Sequence, residues 1–253
     1  MKKLFIIISV TVLSVLGFIS CNKDIDEKES NSVKVFFSQG INPLDSEGEF
    51  HNNSLNFIAE SHDDIANISS NEFFALLFEY QLQLDENFTF PITSSELATL
   101  TDSIAVLLEG TSLSSLINQA YYSTDISEPT YDVLITMNNN IIDNGDDLED
   151  FMSDINDLEN IVSQTSGLND IEEELLWMCL SVAKYSCLYW HNSVTDVNHP
   201  YYQINQAKDK PSVICEDVKG AWDGFWNPVG NTPRLLSAKN RANVRSHQAK
   251  IVQ

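Results

Sequence analysis

Five histidines and four cysteines are the side chains here best suited to metal binding, proton transfer or nucleophilic attack. The histidines are His51, His62, His191, His199 and His247. None of them forms an HExxH pair and the chain has no CxxC, so spacing signals no zinc site. His62-Asp63-Asp64 places ligand-type residues in a row, but a helix end with solvated charges accounts for them equally. The run Asp143-Asn144-Gly145-Asp146-Asp147 clusters the oxygen donors that calcium favours. An EF-hand loop needs glycine at its sixth position, and counting from Asp143 that position holds Leu148. The run therefore reads as a turn leading into a helix. A nucleophile, base and orienting acid can be drawn from any Cys, His and Asp, and without geometry such a set carries no weight. No catalytic residue, metal or cofactor is assigned. His51, Asn52 and His62 stand as candidate ligand-binding residues.

Cys179 and Cys187 fall eight residues apart on one predicted helix, about 12 Å along its axis. Bridged cysteines need Cα atoms within about 7 Å, so these two do not pair with each other, while either could pair with Cys215. The alternative, and the preferred reading, is that all three are small buried hydrophobes.

Cys21 has a different setting. Lys2 and Lys3 are followed by an almost wholly apolar stretch, Leu4 to Ile19, and by small Ser20. That is the three-part plan of a secretory signal, and its length is marginal for a permanent membrane span. The segment resembles a lipoprotein signal peptide, in which the residue after the cut is a cysteine whose thiol receives the lipid. Ser20 matches that pattern, and Phe18 and Ile19 depart from its usual leucine and small residue. Ordinary signal cleavage is the alternative. Asn22-Lys23-Asp24-Ile25-Asp26-Glu27 is similar to the short lysine-plus-acid signal that sends Bacteroidota lipoproteins to the outer face of the outer membrane. The periplasmic face is the other destination. The resemblance implies palmitate-type acylation at Cys21 and attachment to a membrane. Each buried lipid methylene contributes about 0.8 kcal/mol, so several chains hold the protein firmly. Residues 21–33 would then form a flexible tether with an r.m.s. reach of roughly 20 Å.

Charge narrows the partners. The whole chain is at −23, with 37 acidic residues against 14 basic ones. Nucleic acid is not expected as a partner, because a phosphate backbone needs a basic footprint. Cationic partners or divalent ions suit the body electrostatically, and plain solubility explains the charge as well. The basic residues are uneven. Arg234, Lys239, Arg241, Arg245 and Lys250 all lie within 233–253, a stretch with no acid. Two readings follow: a tail that folds onto acidic surfaces, or an altered terminus. The absence of apolar periodicity favours the second, and a disordered basic tail is expected over 231–253.

Helix-start chemistry recurs along the body. Ser69 with Glu72, and Thr93 with Glu96, are capping boxes. Acids at Asp170, Glu172 and Glu173 suit the positive end of a helix over about 170–192. From Leu175 to Trp190 that helix is apolar nearly all round, which places it in the middle of a bundle, with Leu176, Cys179, Leu180, Ala183 and Cys187 central. Further helices are expected at about 51–62, 112–121, 129–142, 146–164 and 217–226. Val33 to Phe37 is the one strand candidate. The chain therefore reads as all-α, a bundle of about six to eight helices around the central one. A signal peptide over 1–20, the tether, a helical domain over 34–230 and the basic tail make up the organisation.

One stretch carries a further resemblance. Gly48-Glu49-Phe50-His51-Asn52-Asn53-Ser54-Leu55 resembles a G-x-x-H-N-x-x-L pattern of uncharacterised Bacteroidota exported proteins. Those chains often end in a segment like Asp217-Val218-Lys219-Gly220-Ala221-Trp222 followed by a glycine- and alanine-rich run, which is missing here after Gly224. The resemblance implies export and no particular activity. From the residues alone, His51-Asn52 reads as a helix start, with Asn52 as cap.

The leading expectation is an outer-membrane or cell-surface lipoprotein acting as a non-enzymatic binding or interaction module, with its protein or small-molecule partner unknown. An exported hydrolase assembled by the fold, and a bacteriocin-like antagonism factor, are the alternatives. An open cleft around His51, His62 or His191 would favour the hydrolase, and a sealed apolar bundle would count against it.

Overall fold

The computed structural model describes residues 41–251, apart from 63, 66, 90–92, 100–101, 103–109, 203–209 and 229–232. The expected strand at Val33 to Phe37 and Cys21 lie outside the described residues. The described part is all-α. Its helices are α1 (Asp45–Ser61), α2 (Ser70–Leu84), α3 (Leu113–Tyr122), α4 (Glu128–Asn144), α5 (Leu148–Gln164), α6 (Asp170–Thr195), α7 (Lys210–Trp226) and α8 (Arg234–Ile251).

Several boundaries have a local cause. Ser69 accepts from the Glu72 N–H while Glu72 accepts from the Ser69 N–H, so both halves of the capping box start α2. The same exchange joins Thr93 and Glu96. Asp147 accepts from the N–H groups of Glu149 and Asp150 and opens α5, so the acidic turn before it serves as a cap. Asn169 does the same for α6. Helix α3 ends in two reverse bonds, Asp125 N–H to the Ala120 carbonyl and Thr124 N–H to the Tyr121 carbonyl, with Thr124 at φ +64°. That is a Schellman ending with a β-branched residue in the left-handed position usually given to glycine.

Helix α6 is the axis of the bundle and touches α1, α4, α5, α7 and α8. Leu176, Cys179, Leu180, Ala183 and Cys187 are all buried, as its all-round apolar character requires. Among the described residues no helix is long and apolar enough to cross a membrane. Among the described residues no disulfide joins Cys179, Cys187 or Cys215. Burial pushes the Cys179 and Cys187 thiols up to about 12.

Two expectations need correction. Helix α1 begins at Asp45 rather than near residue 51, because Asn42 accepts from the Leu44 N–H and Asp45 and Glu47 favour the first turn. His51 and Asn52 are thus mid-helix and cap nothing. The disordered tail expected over 231–253 is also overturned: residues 234–251 form α8, packed on α7, α1, α2 and α6. Leu236 and Val244 are its large buried apolar residues, and small ones complete the contact. Ala238, Ala242 and Ser246 form a row of small buried residues at four-residue spacing. They meet a row on α7 made by Gly220 and Gly224. A Cβ on Gly220 would lie 2.5 Å from the Arg241 carbonyl oxygen, so glycine is required for this backbone approach. The basic residues then find acids: Lys239 lies 2.9 Å from Glu47, Arg245 lies 3.5 Å from Glu216, and Arg241 pairs with Asp223.

Candidate functional site

The singled-out stretch on α1 forms one helical face. Gly48, His51, Asn52 and Leu55 fall at i, i+3, i+4 and i+7, and each contributes to helix packing. Gly48 lets α1 lie against α6: a Cβ there would meet Ser181 and Tyr185 at 2.6 Å, and its N–H donates to Ser181 Oγ at 3.0 Å. Asn52 donates Nδ2–H to the Tyr185 carbonyl at 2.9 Å. Leu55 is fully buried.

His51 reaches furthest. Asn52 Nδ2 is engaged with a carbonyl, so its Oδ1 faces His51 Nδ1, 3.0 Å away, and Nδ1 must be the donor. On the other side, His51 Nε2 lies 3.2 Å from Ser246 Oγ and 3.7 Å from Asp217 Oδ2. The second singled-out stretch, on α7, therefore meets the first through Asp217. Asp217 also accepts from Ser186 Oγ at 2.5 Å, from Trp190 Nε1 at 2.9 Å and from Ser246 Oγ. Burial raises the Asp217 pKa, while His51 and these donors work against the rise.

Four helices, α1, α6, α7 and α8, supply the members of this cluster.

The arrangement does not match an acyl-transfer triad. There the acid holds Nδ1 and the serine faces Nε2. Here Asn52 holds Nδ1, while Asp217 and Ser246 share the Nε2 side. His51 and Asp217 have no exposed side-chain surface, so no substrate reaches them. His62 is not part of the cluster. It ends α1, and its Nδ1 accepts from the Asp64 N–H at 3.2 Å. His191 is on α6, its Nδ1 buried without a partner, and burial lowers its pKa.

Two further buried networks went unread in the sequence. Lys184 on α6 lies 2.8 Å from Asp45 and 3.0 Å from Glu159, and Asn42 donates to Glu159 at 3.2 Å. Burial raises the Glu159 pKa, with Lys184 opposing. Glu172 accepts from the Ser127 N–H, from Thr130 Oγ1 at 3.1 Å and from Asn169 Nδ2 at 2.6 Å. Burial alone would raise its pKa, but these donors outweigh it and hold the carboxyl below its ordinary value. Both networks join helix ends to α6 and are structural. Among the described residues no group of three or more His, Cys, Asp or Glu side chains is placed to hold a metal ion.

A cleft of about 440 Å³ opens elsewhere, between α3 and α7. Trp222 and Trp226 line it together with Gln119, Ser123, Asp125 and Asn227. Of these only Trp222 lay in a stretch singled out in the sequence, and not as a binding residue. The available signal was the i, i+4 spacing of two tryptophans, which puts both on one face of a helix. Compared with models of known families, with curated proteins and with solved structures, the chain matches none.

Proposed function

We propose that this chain is an exported lipoprotein of the outer membrane, carried on acyl chains at Cys21, whose helical body is a binding module. The charged start, the apolar run to Ile19 and the Ser20-Cys21 junction support the anchor. The observation that carries the binding reading is the sealed state of the α1 motif. His51, Asn52 and Asp217 are the polar residues most suggestive of chemistry, and all are committed to joining helices, His51 and Asp217 in the interior and Asn52 half-buried beside them. A reacting centre needs access for its substrate. The α3–α7 cleft, by contrast, is open and mixed in polarity, as small-molecule sites are. An outer-membrane position beside the cell surface gives such a module its role, holding a ligand within tether reach of the bilayer.

Detergent phase partition tests the anchor. The full chain, expressed in a bacterium able to process lipoproteins, should enter the detergent phase, and Cys21→Ser should stay in the aqueous phase. Mass spectrometry of the mature amino terminus should find diacylglyceryl-modified Cys21 in the first and none in the second. Equal partition of the two proteins would overturn the anchor.

A further inference from the structure

The α3–α7 cleft has a floor and rim whose chemistry is specific. Trp222 and Trp226 stand one turn apart on α7, with ring centroids 6.1 Å apart and planes at 61°. Trp222 is buried and fixed, and Trp226 is half-buried. The Trp226 indole N–H is buried with no hydrogen-bond partner. Turning that ring toward a ligand therefore breaks no hydrogen bond. The rim is supplied by the exposed Gln119 and Asn227 amides, which can donate and accept, and by the Asp125 carboxylate.

Charge decides which ligand this suits. Asp223, the second carboxylate at the cleft, is already paired with Arg241 and accepts from Asn227 Nδ2 at 2.9 Å. Among the described residues that leaves Asp125 as the one carboxylate lining the cleft without a cationic partner, and Ser123 Oγ already donates to it. A cage for a cation would present several free carboxylates around the aromatic faces. A floor of indoles with a rim of amides and one carboxylate instead complements a neutral molecule with apolar C–H faces and many hydroxyls. Such a molecule stacks its C–H face on a ring and lets each hydroxyl both donate and accept. The cleft volume lies within the range of small-molecule sites.

The rim is also strained. Thr124, between Ser123 and Asp125, sits at φ +64°, where a β-branched residue is costly. This backbone turn sets Ser123 and Asp125 at the mouth of the cleft.

We propose that the cleft between α3 and α7 is a carbohydrate-binding site, with half-buried Trp226 as the stacking surface, buried Trp222 backing it, and Gln119, Asp125 and Asn227 as hydroxyl partners. The proposal rests on the binding-module reading, and it is independent of whether Cys21 carries lipid.

Isothermal titration calorimetry of the full chain in mild detergent tests it. The probes are neutral hexasaccharides of glucose (α1,4 and β1,4), xylose, mannose and N-acetylglucosamine, with choline as the cationic probe. Expected is saturable binding of at least one saccharide, weakened at least tenfold in Trp226→Ala and in Gln119→Ala, with choline not bound. Gln119 is exposed, so its variant keeps the fold, which circular dichroism verifies. No binding of any saccharide, binding unchanged in both variants, or binding of choline alone would each overturn the proposal. The detergent partition of Cys21→Ser is unaffected by any of these results, so failure of the site and failure of the anchor are read separately.

Discussion

His51 Nε2 lies 3.7 Å from Asp217 Oδ2, with neither side chain exposed, and this contact joins α1 to α7. Ser186 and Trp190 of α6 and Ser246 of α8 complete the ring of partners. A buried carboxyl with this many donors is a point where helix positions are set together, because every donor loses its partner if one helix shifts.

Removing that carboxyl should therefore be severe. Asp217→Ala strands the Ser186, Trp190 and Ser246 donors and is expected to cost about 3–5 kcal/mol. Asp217→Asn keeps an acceptor and should cost clearly less. Urea unfolding followed by circular dichroism compares them. Equal, small losses would show that the cluster does not hold the helices.

Glu159 and Glu172 should give opposite pH dependences. Burial raises the folded pKa of Glu159, so the folded state holds its proton longer than the unfolded chain does. Its contribution is full below the ordinary glutamate range and lost as pH rises through the folded pKa. The folded pKa of Glu172 is lowered, so its contribution is present above the ordinary range and lost as pH falls. Stability of the parent relative to Glu159→Gln should thus fall with rising pH, and relative to Glu172→Gln should rise. Unfolding free energies at several pH values through the mildly acidic range check both signs, and slopes of the same sign refute the assignment.

The α7–α8 contact rests on glycine. Gly220→Ala places a Cβ 2.5 Å from the Arg241 carbonyl and should cost about 1–3 kcal/mol through overpacking. Hydrogen exchange should show the loss mainly in α8. This helix also carries buried atoms without partners, among them Arg241 Nε, Asn243 Oδ1 and Arg245 Nη2. It should accordingly exchange faster than α6 even in the parent. Protection of α8 equal to that of α6 would contradict this.

Thr124→Gly should stabilise the fold by on the order of 1 kcal/mol, since glycine accepts the left-handed conformation without the Cβ clash. A rise in the thermal midpoint is the readout. Lowered stability would mean that Thr124 is held by contacts stronger than its strain.

Thiol labelling offers a last check. Cys179 and Cys187 are buried with thiols pushed up to about 12, so a disulfide reagent at neutral pH should leave them unmodified in the native state. Half-buried Cys215 should react first. Rapid modification of all three would indicate an open core.

Local chemistry was legible where a few adjacent residues suffice. The capping boxes at Ser69 and Thr93 and the apolar run from Leu175 to Trp190 are signals within one turn or one helix, and they led to an all-α bundle about α6. The start of α1 was misread because its cause, Asn42 turning back to Leu44 and bonding Glu159 and Trp177, includes partners far along the chain. The tail was misread for a related reason. Packing by Ala238, Ala242 and Ser246 leaves no large-residue periodicity, and small residues signify a contact only when the facing row, Gly220 and Gly224, is known.

The amino-acid sequence by itself therefore determined the helical class, the central helix and a strongly negative net charge, because composition and periodicity act over short spans. Only the tertiary structure decided that His51 meets Asp217 in a sealed core, that the basic segment is a helix paired with acids, and that two tryptophans face a cleft with Gln119 and Asp125. Those are distances between residues remote in the chain, and they exist once the burial of many apolar side chains has fixed the helices against one another.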